Sequence, residues 1–274
     1  MKYFSLIVLA AIFSIAGCNS NETTEKETAA AIPVIKTEDV SYMSDSAKLT
    51  GFIAYDSAIN KKLPVVLIVH EWWGLNDYVK SRAKQLAGLG YLAMAVDMYG
   101  DGKTGNSPEE AGKLAMPFYQ NPAFAKSRFD AALTKVKAYS QADTTQIAAI
   151  GYCFGGSMVL NMAKLGEGLN GVVSFHGNLA GVPADKSLLK SKVLVCHGAD
   201  DQFVKPEEVA TFKKQMDSIG AGYTFKQYTG ATHAFSNPAA TEWGLKFKIP
   251  IAYNAAADSA SWQDMKDFFG KIFK

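Results

Sequence analysis

At 274 residues, 48% of them hydrophobic and 20% charged, the chain has room for one large domain or two small ones and is too apolar to be wholly disordered. Twenty-eight Lys and Arg against 26 Asp and Glu leave a net charge of +2, which argues against a nucleic-acid partner. Three cysteines are too few for a disulfide scaffold or a zinc-finger array.

In chain order, Lys2 precedes an apolar run of 15 residues, Tyr3–Gly17, that ends at Cys18. The run is shorter than the ~20 residues of a membrane span. One positive charge, an apolar centre and small closing residues describe an export signal. Ile15-Ala-Gly-Cys18 resembles the cleavage box of a bacterial lipoprotein, although Leu is more usual three places before the cysteine. The resemblance implies loss of residues 1–17, lipidation of Cys18 and a membrane-anchored protein of the bacterial cell envelope. Several acyl chains hold such an anchor firmly where one does not. The plainer alternative is a secretory signal with an incidental cysteine. Residues 18–36 hold that cysteine and then a stretch rich in Glu, Thr and Ala without an aromatic residue, which reads as a flexible tether. One folded domain is expected over 37–274.

Val40–Ser44 and Lys48–Tyr55 alternate in polarity and predict an opening antiparallel hairpin. Val65–Val69, Tyr91–Val96, Ile147–Ile150, Val172–Phe175 and Val193–Cys196 are nearly continuous apolar runs, the pattern of strands covered on both faces. Between and after them, Asp77–Leu89, Ser107–Tyr119, Pro122–Tyr139, Pro206–Ile219 and Ser259–Phe273 predict helices, and Gly222–Tyr228 a last strand. The alternation predicts an α/β fold with a mostly parallel open sheet and helices on both faces. Ligands in such sheets bind beyond the carboxyl ends of the strands.

Gly151-Tyr-Cys-Phe-Gly-Gly156 lies at one of those ends, between an apolar strand and a helical stretch. This is a nucleophile turn with Cys153 in the place usually held by serine. The turn presents its side chain at a helix N-terminus, where the dipole favours the thiolate. The alternative is a small buried cysteine in a glycine-rich turn. His233, just after the last strand, suits a general base; His70, His176 and His197 also sit at strand ends, where packing roles are the plainer reading. Asp200 and Asp201 follow Val193–Gly198, and either could be the acid that orients the base; Asp201-Gln-Phe-Val204 fits the usual acid-then-apolar turn better, with Asp200 as its polar neighbour. The order Cys153, Asp201, His233 is that of α/β-hydrolases. The loop after Val65–Val69, His70-Glu-Trp-Trp-Gly-Leu-Asn76, is placed to give one oxyanion-hole amide, the Trp72 N–H, with Phe154 N–H as the other. Glu71 reads either as a surface residue or as a carboxylate beside the thiol, a neighbour that favours the neutral thiol. Trp72, Trp73, Phe154, Tyr99 and Phe235 are candidates for an apolar pocket or for ordinary core.

These motifs, with Tyr91-Leu-Ala-Met-Ala-Val-Asp-Met-Tyr-Gly100, resemble the dienelactone hydrolase family, cysteine hydrolases with the α/β-hydrolase fold, over roughly Val40 to Lys274. The resemblance implies a Cys153–His233–Asp201 triad and Glu71 as partner of the resting thiol. It also implies oxyanion donors at Trp72 and Phe154. Enzymes that open dienelactone itself bind the substrate carboxylate with two arginines. This chain has Gly100 and Asp101, with Lys103 nearby, at one of those places and Asn237 at the other.

The expected activity is hydrolysis of a small-molecule ester or lactone through a thioester. The rival readings are a non-catalytic envelope binding protein that retains the fold, and a related acyltransferase or peptidase. No metal or other cofactor is expected: the ligand-type residues lack paired spacing, and Gly151–Gly156 lacks the Lys-Ser/Thr ending of a phosphate loop. Cys153 and Cys196 are expected on strands separated by a third, too far apart for a disulfide.

Overall fold

The computed structural model describes Met1 and residues 32–274. The export signal, Cys18 and nearly all of the tether lie outside the described residues. The chain opens with a hairpin, β1 (Ile35–Ser44) and β2 (Ala47–Asp56). It continues through β3 (Leu63–Val69), α1 (Asp77–Gly88), β4 (Leu92–Val96), α2 (Pro108–Gln120), α3 (Pro122–Lys137) and β5 (Ala142–Tyr152). Then come α4 (Phe154–Lys164), β6 (Gly171–Phe175), β7 (Lys192–Gly198), α5 (Pro206–Ser218), β8 (Tyr223–Tyr228), α6 (Ala240–Phe247) and α7 (Ala255–Ile272). The strands form one eight-stranded sheet in the order β1-β2-β4-β3-β5-β6-β7-β8. β1 and β2 pair antiparallel, β2 meets β4 antiparallel, and every later pairing is parallel.

The apolar strands are continuous because both sheet faces are covered. On β3, Val65, Leu67 and Val69 join one buried cluster with Phe118, Phe129, Met158 and Phe212 from α2, α3, α4 and α5. The alternate residues Val66 and Ile68 join the other, with Val79, Leu86, Met265 and Phe269 from α1 and α7. Period-two side chains thus feed two helical layers, and each fully buried Val, Leu, Ile or Phe contributes roughly 1.5–3 kcal/mol.

Three boundaries and one helix depart most from the sequence reading. β1 begins at Ile35, two residues before the expected domain start at 37, because Ile35 pairs with Asp56 and the Val34 N–H donates to Asp56 Oδ1 at 2.9 Å. β5 starts five residues before Ile147; its polar front, Asp143-Thr-Thr-Gln, carries no apolar signal, and the ladder with β3 shifts register there. α7 starts at Ala255 rather than Ser259, since Asn254 Oδ1 caps it by accepting from the Ala257 N–H at 3.1 Å. α6 was not expected: its eight residues have no side-chain cap and bury only Ala240 and Gly244 fully. β6 lies between the strands that lead to Cys153 and carry Cys196, and both thiols are free.

The parallel ladder aligns the carboxyl ends of the strands. Val69 pairs with Gly151, Tyr152 with Phe175, and Phe175 with Cys196. Everything that follows β3, β5, β6, β7 and β8 therefore emerges on one rim.

Candidate active site

Cys153 sits between β5 and α4 with φ 52° and ψ −112°. A positive φ on a residue with a Cβ costs on the order of 1–3 kcal/mol and persists only where the surroundings impose it. Here they do. A Cβ on Gly155 would lie 2.1 Å from the Val69 carbonyl oxygen, and one on Gly151 would lie 2.1 Å from that of Gly155. Both glycines let α4 start hard against β3, which leaves the thiol half-exposed above the sheet at the start of the helix.

His233 follows β8 and is buried. Its Nδ1 is 2.8 Å from Asp201 Oδ2. Asp201 Oδ1 accepts from the backbone N–H groups of Phe203 at 2.8 Å and Val204 at 3.2 Å. Asp200 is exposed and makes no side-chain hydrogen bond with His233, so the carboxylate bonded to the imidazole is that of Asp201. Burial alone would drive the His233 pKa down. The charge of Cys153 and the hydrogen bonds to Asp201 and to the Cys153 side chain outweigh it and push the imidazole well above its ordinary value. Burial pushes the Asp201 carboxyl up, and His233 with the Phe203 N–H more than reverses this, so it is held below the usual carboxylate range.

The Trp72 N–H has no partner among the described residues, and Phe154 is the first residue of α4, where an N–H has no intrahelical acceptor. A cavity of about 170 Å³ opens beside them, bounded by Trp72, Trp73, Tyr119, Phe203 and Ile251, with Cys153, His233 and Glu71 also on its wall. Phe154 and Phe235 are fully buried core, and the Tyr99 hydroxyl donates to the Trp72 carbonyl at 2.8 Å. Tyr119 and Phe203, not singled out from the sequence, replace them as walls. Phe203 carried one weak cue, its place two residues after the acid.

Glu71 shares the cavity with Cys153, but its Oε2 accepts a hydrogen bond from Asn237 Nδ2 at 2.6 Å. Asn237 thus holds Glu71 from the position where dienelactone-opening enzymes carry an arginine. Burial raises the Glu71 pKa to about 7, against the Asn237 amide and the charges of His233 and Arg82. The folded protein therefore keeps a proton that the unfolded chain gives up above the ordinary value of 4.5. The Glu71 contribution to stability falls as pH rises from about 4.5 to about 7, then levels. Glu71→Gln keeps an acceptor for Asn237 and removes that slope. The stability difference between variant and wild type should grow by on the order of 3 kcal/mol in favour of the variant from about pH 4 to pH 8, read by denaturant unfolding. Parallel curves would exclude a raised Glu71.

Of the other histidines, His70 and His197 pack. His70 stacks on Phe154 at 5.7 Å, and the His197 ring lies 5.6 Å from Phe225. His176 is different. Its Nδ1 lies 3.1 Å from the Cys153 N–H, and its Nε2 lies 2.7 Å from Ser236 Oγ. Among the described residues no group of three or more His, Cys, Asp or Glu is placed to hold a metal ion.

The profile of the dienelactone hydrolase family matches residues 49–273. A protein of Aquifex aeolicus strain VF5, provisionally named a carboxymethylenebutenolidase, is 28% identical over 240 residues, covering 86% of this chain and 98% of that one. Protein usf of Aquifex pyrophilus is 28% identical over 203 residues, 72% of this chain and 86% of its own. Among solved structures, a dienelactone hydrolase-like promiscuous phosphotriesterase from metagenomic libraries is 31% identical, with a TM-score of 0.82 over 88% of this chain and 99% of that one. With four-fifths of its length under that profile and the fold of that solved relative, the chain belongs to the dienelactone hydrolase family of α/β-hydrolases, which act on ester and lactone bonds.

Proposed function

We propose that the protein cleaves its ester or lactone through a Cys153–His233–Asp201 triad and a thioester on Cys153. The observation that carries this reading is the 2.8 Å bond from His233 Nδ1 to Asp201, which directs the other ring nitrogen toward the thiol in the same cavity. Cys153 Sγ adds to the substrate carbonyl carbon with its proton held on His233. The negative charge that develops on the carbonyl oxygen is met by the Trp72 and Phe154 N–H groups; losing one such donor typically costs ~3–4 kcal/mol of barrier. The tetrahedral species collapses, the C–O bond breaks, and the alcohol leaves with the proton from His233. A water then attacks the thioester, giving its proton to the same imidazole, and the acid departs from Cys153. Asp201 orients the ring throughout and stabilises its charged form.

The walls favour an uncharged acyl group: they are mainly aromatic and aliphatic, and no arginine lines the cavity. Intact-mass measurement after rapid acid quench tests both points. A neutral aryl ester should add one acyl mass to the wild-type chain at Cys153. An ester bearing a carboxylate on its acyl group should do so at least about tenfold more slowly, the result of leaving one charge without a partner. Turnover with no acyl mass at any quench time would remove the thioester.

We also propose, from Ile15-Ala-Gly-Cys18 and the apolar run before it, that Cys18 is lipidated and anchors the enzyme in the bacterial cell envelope. Cys18→Ser should move the protein from the washed membrane fraction to the soluble one. An unchanged distribution would leave Cys18 without that role.

A further inference from the structure

Three consecutive features of one loop reach three different parts of the rim. His233 bonds Asp201 after β7, Asn237 bonds Glu71 after β3, and Ser236, between them, bonds His176 at the end of β6. His176 and Ser236 are fully buried. The Cys153 N–H is shared between the Phe175 carbonyl at 3.0 Å and His176 Nδ1 at 3.1 Å. An accepting Nδ1 places the imidazole proton on Nε2, which then donates to Ser236 Oγ at 2.7 Å. The Ser236 hydroxyl is left to donate to Tyr78 Oη, also at 2.7 Å. Arg82 holds the same residue from the other side, donating to the Ser236 carbonyl at 2.8 Å and pairing with Asp258.

We propose that His176 is a positioning residue: its imidazole bridges the nucleophile turn to the histidine loop and so holds Cys153 and His233 at a fixed separation. The proposal rests on the reading of those two residues as nucleophile and base. The bridge is short. It runs from the backbone nitrogen of Cys153, across one ring, to a side chain three residues beyond His233. The His176 and His233 rings also meet edge to face at 5.4 Å, so a shift of one presses on the other. The bridge needs an imidazole that can accept at Nδ1. Burial, with the charges of His233 and Arg82, drives the His176 pKa well below its ordinary value and keeps that nitrogen unprotonated. His176 itself sits at φ 41°, a conformation that residues with a Cβ seldom adopt. Nothing in the proposed chemistry uses His176 to carry a proton to substrate, and it is not on the cavity wall.

A double-mutant cycle on the full-length enzyme tests the bridge. His176→Asn keeps an acceptor near the Nδ1 position and loses the reach to Ser236; Ser236→Ala removes the far anchor. Each single variant should lower kcat by about 10–100-fold with KM changed less than threefold, the penalty of a displacement on the order of 1 Å between reacting groups. The double variant should fall no further than the worse single, because both break one bridge. Losses that multiply, or a rise in KM with kcat intact, would overturn the proposal. Should His176→Asn fail to fold, the same cycle is run with Ser236→Ala and Tyr78→Phe, which severs the next hydrogen bond along; non-additive kcat losses support the bridge and additive ones overturn it. The underlying reading is checked apart from this by Cys153→Ala. Hydrolysis surviving there removes the nucleophile whatever the cycle shows, whereas its loss there with an additive cycle removes the bridge alone.

Discussion

Cys153→Ala is expected to lower kcat for a p-nitrophenyl ester by about a million-fold while the protein stays folded, as happens when the nucleophile of a triad is removed. The site offers no substitute. Cys196, the other described cysteine, is fully buried two strands away, and burial pushes its thiol pKa up to about 12. Folding should tolerate the change. Alanine keeps the Cβ and meets the same φ penalty as cysteine, and the sulfur is half-exposed with few partners to lose. A melting temperature within a few degrees of wild type, with ester turnover at background, is the expected pair of results. The variant carries a second consequence. Against burial, the first of the influences that lift the His233 pKa is the charge of Cys153. With the Cys153 sulfur removed, the imidazole should titrate at a lower pH than in the wild type, a shift visible by NMR of the ring protons. Hydrolysis within tenfold of wild type would mean that another group attacks.

Much of this arrangement was legible in residues whose type is dictated by backbone. Gly151 and Gly155 flank Cys153 because α4 starts where no Cβ fits, and a Gly-x-Cys-x-Gly spacing reports that crowding directly. The apolar runs at Val65–Val69 and Val193–Cys196 report two covered faces, and chain order alone separated His233 from the other three histidines. What stayed hidden depends on contacts across long loops. His176 looks like any histidine at a strand end until Ser236, 60 residues later, is brought to its Nε2. Asn237 reads as the absence of an arginine, and only its bond to Glu71, 166 residues away, gives it a task. α6 escaped because it is only eight residues long and starts without a side-chain cap, so no start signal marks it in the sequence. Tyr119, at the end of α2, became a cavity wall through the way that helix lies on the sheet, which no local pattern encodes.

Asp201→Asn is the second large expected effect, a fall in kcat of about ten-thousand-fold at neutral pH with the fold intact. The reason lies in how the carboxylate is held. Oδ1 accepts from two backbone N–H groups, those of Phe203 and Val204, while Oδ2 faces His233 Nδ1. An asparagine in the same place must keep its carbonyl oxygen toward the two N–H donors, since turning the amide round would set donor against donor twice. Its NH₂ group therefore points at His233 Nδ1. That nitrogen has to accept, so the ring proton moves to Nε2, the nitrogen turned toward Cys153, which can then no longer take the thiol proton. The variant thus leaves every heavy atom near its place and reverses the tautomer. Two readouts separate this from simple loss of a charge. Asp201→Ala, which lets the ring choose its tautomer, should lose less than Asp201→Asn in kcat despite the larger excision. The His233 pKa should also fall in both variants, because the carboxylate that supports the charged ring is gone. Equal losses in the two variants would show that the orientation set by Phe203 and Val204 does not govern the tautomer, and that Asp201 acts through its charge alone.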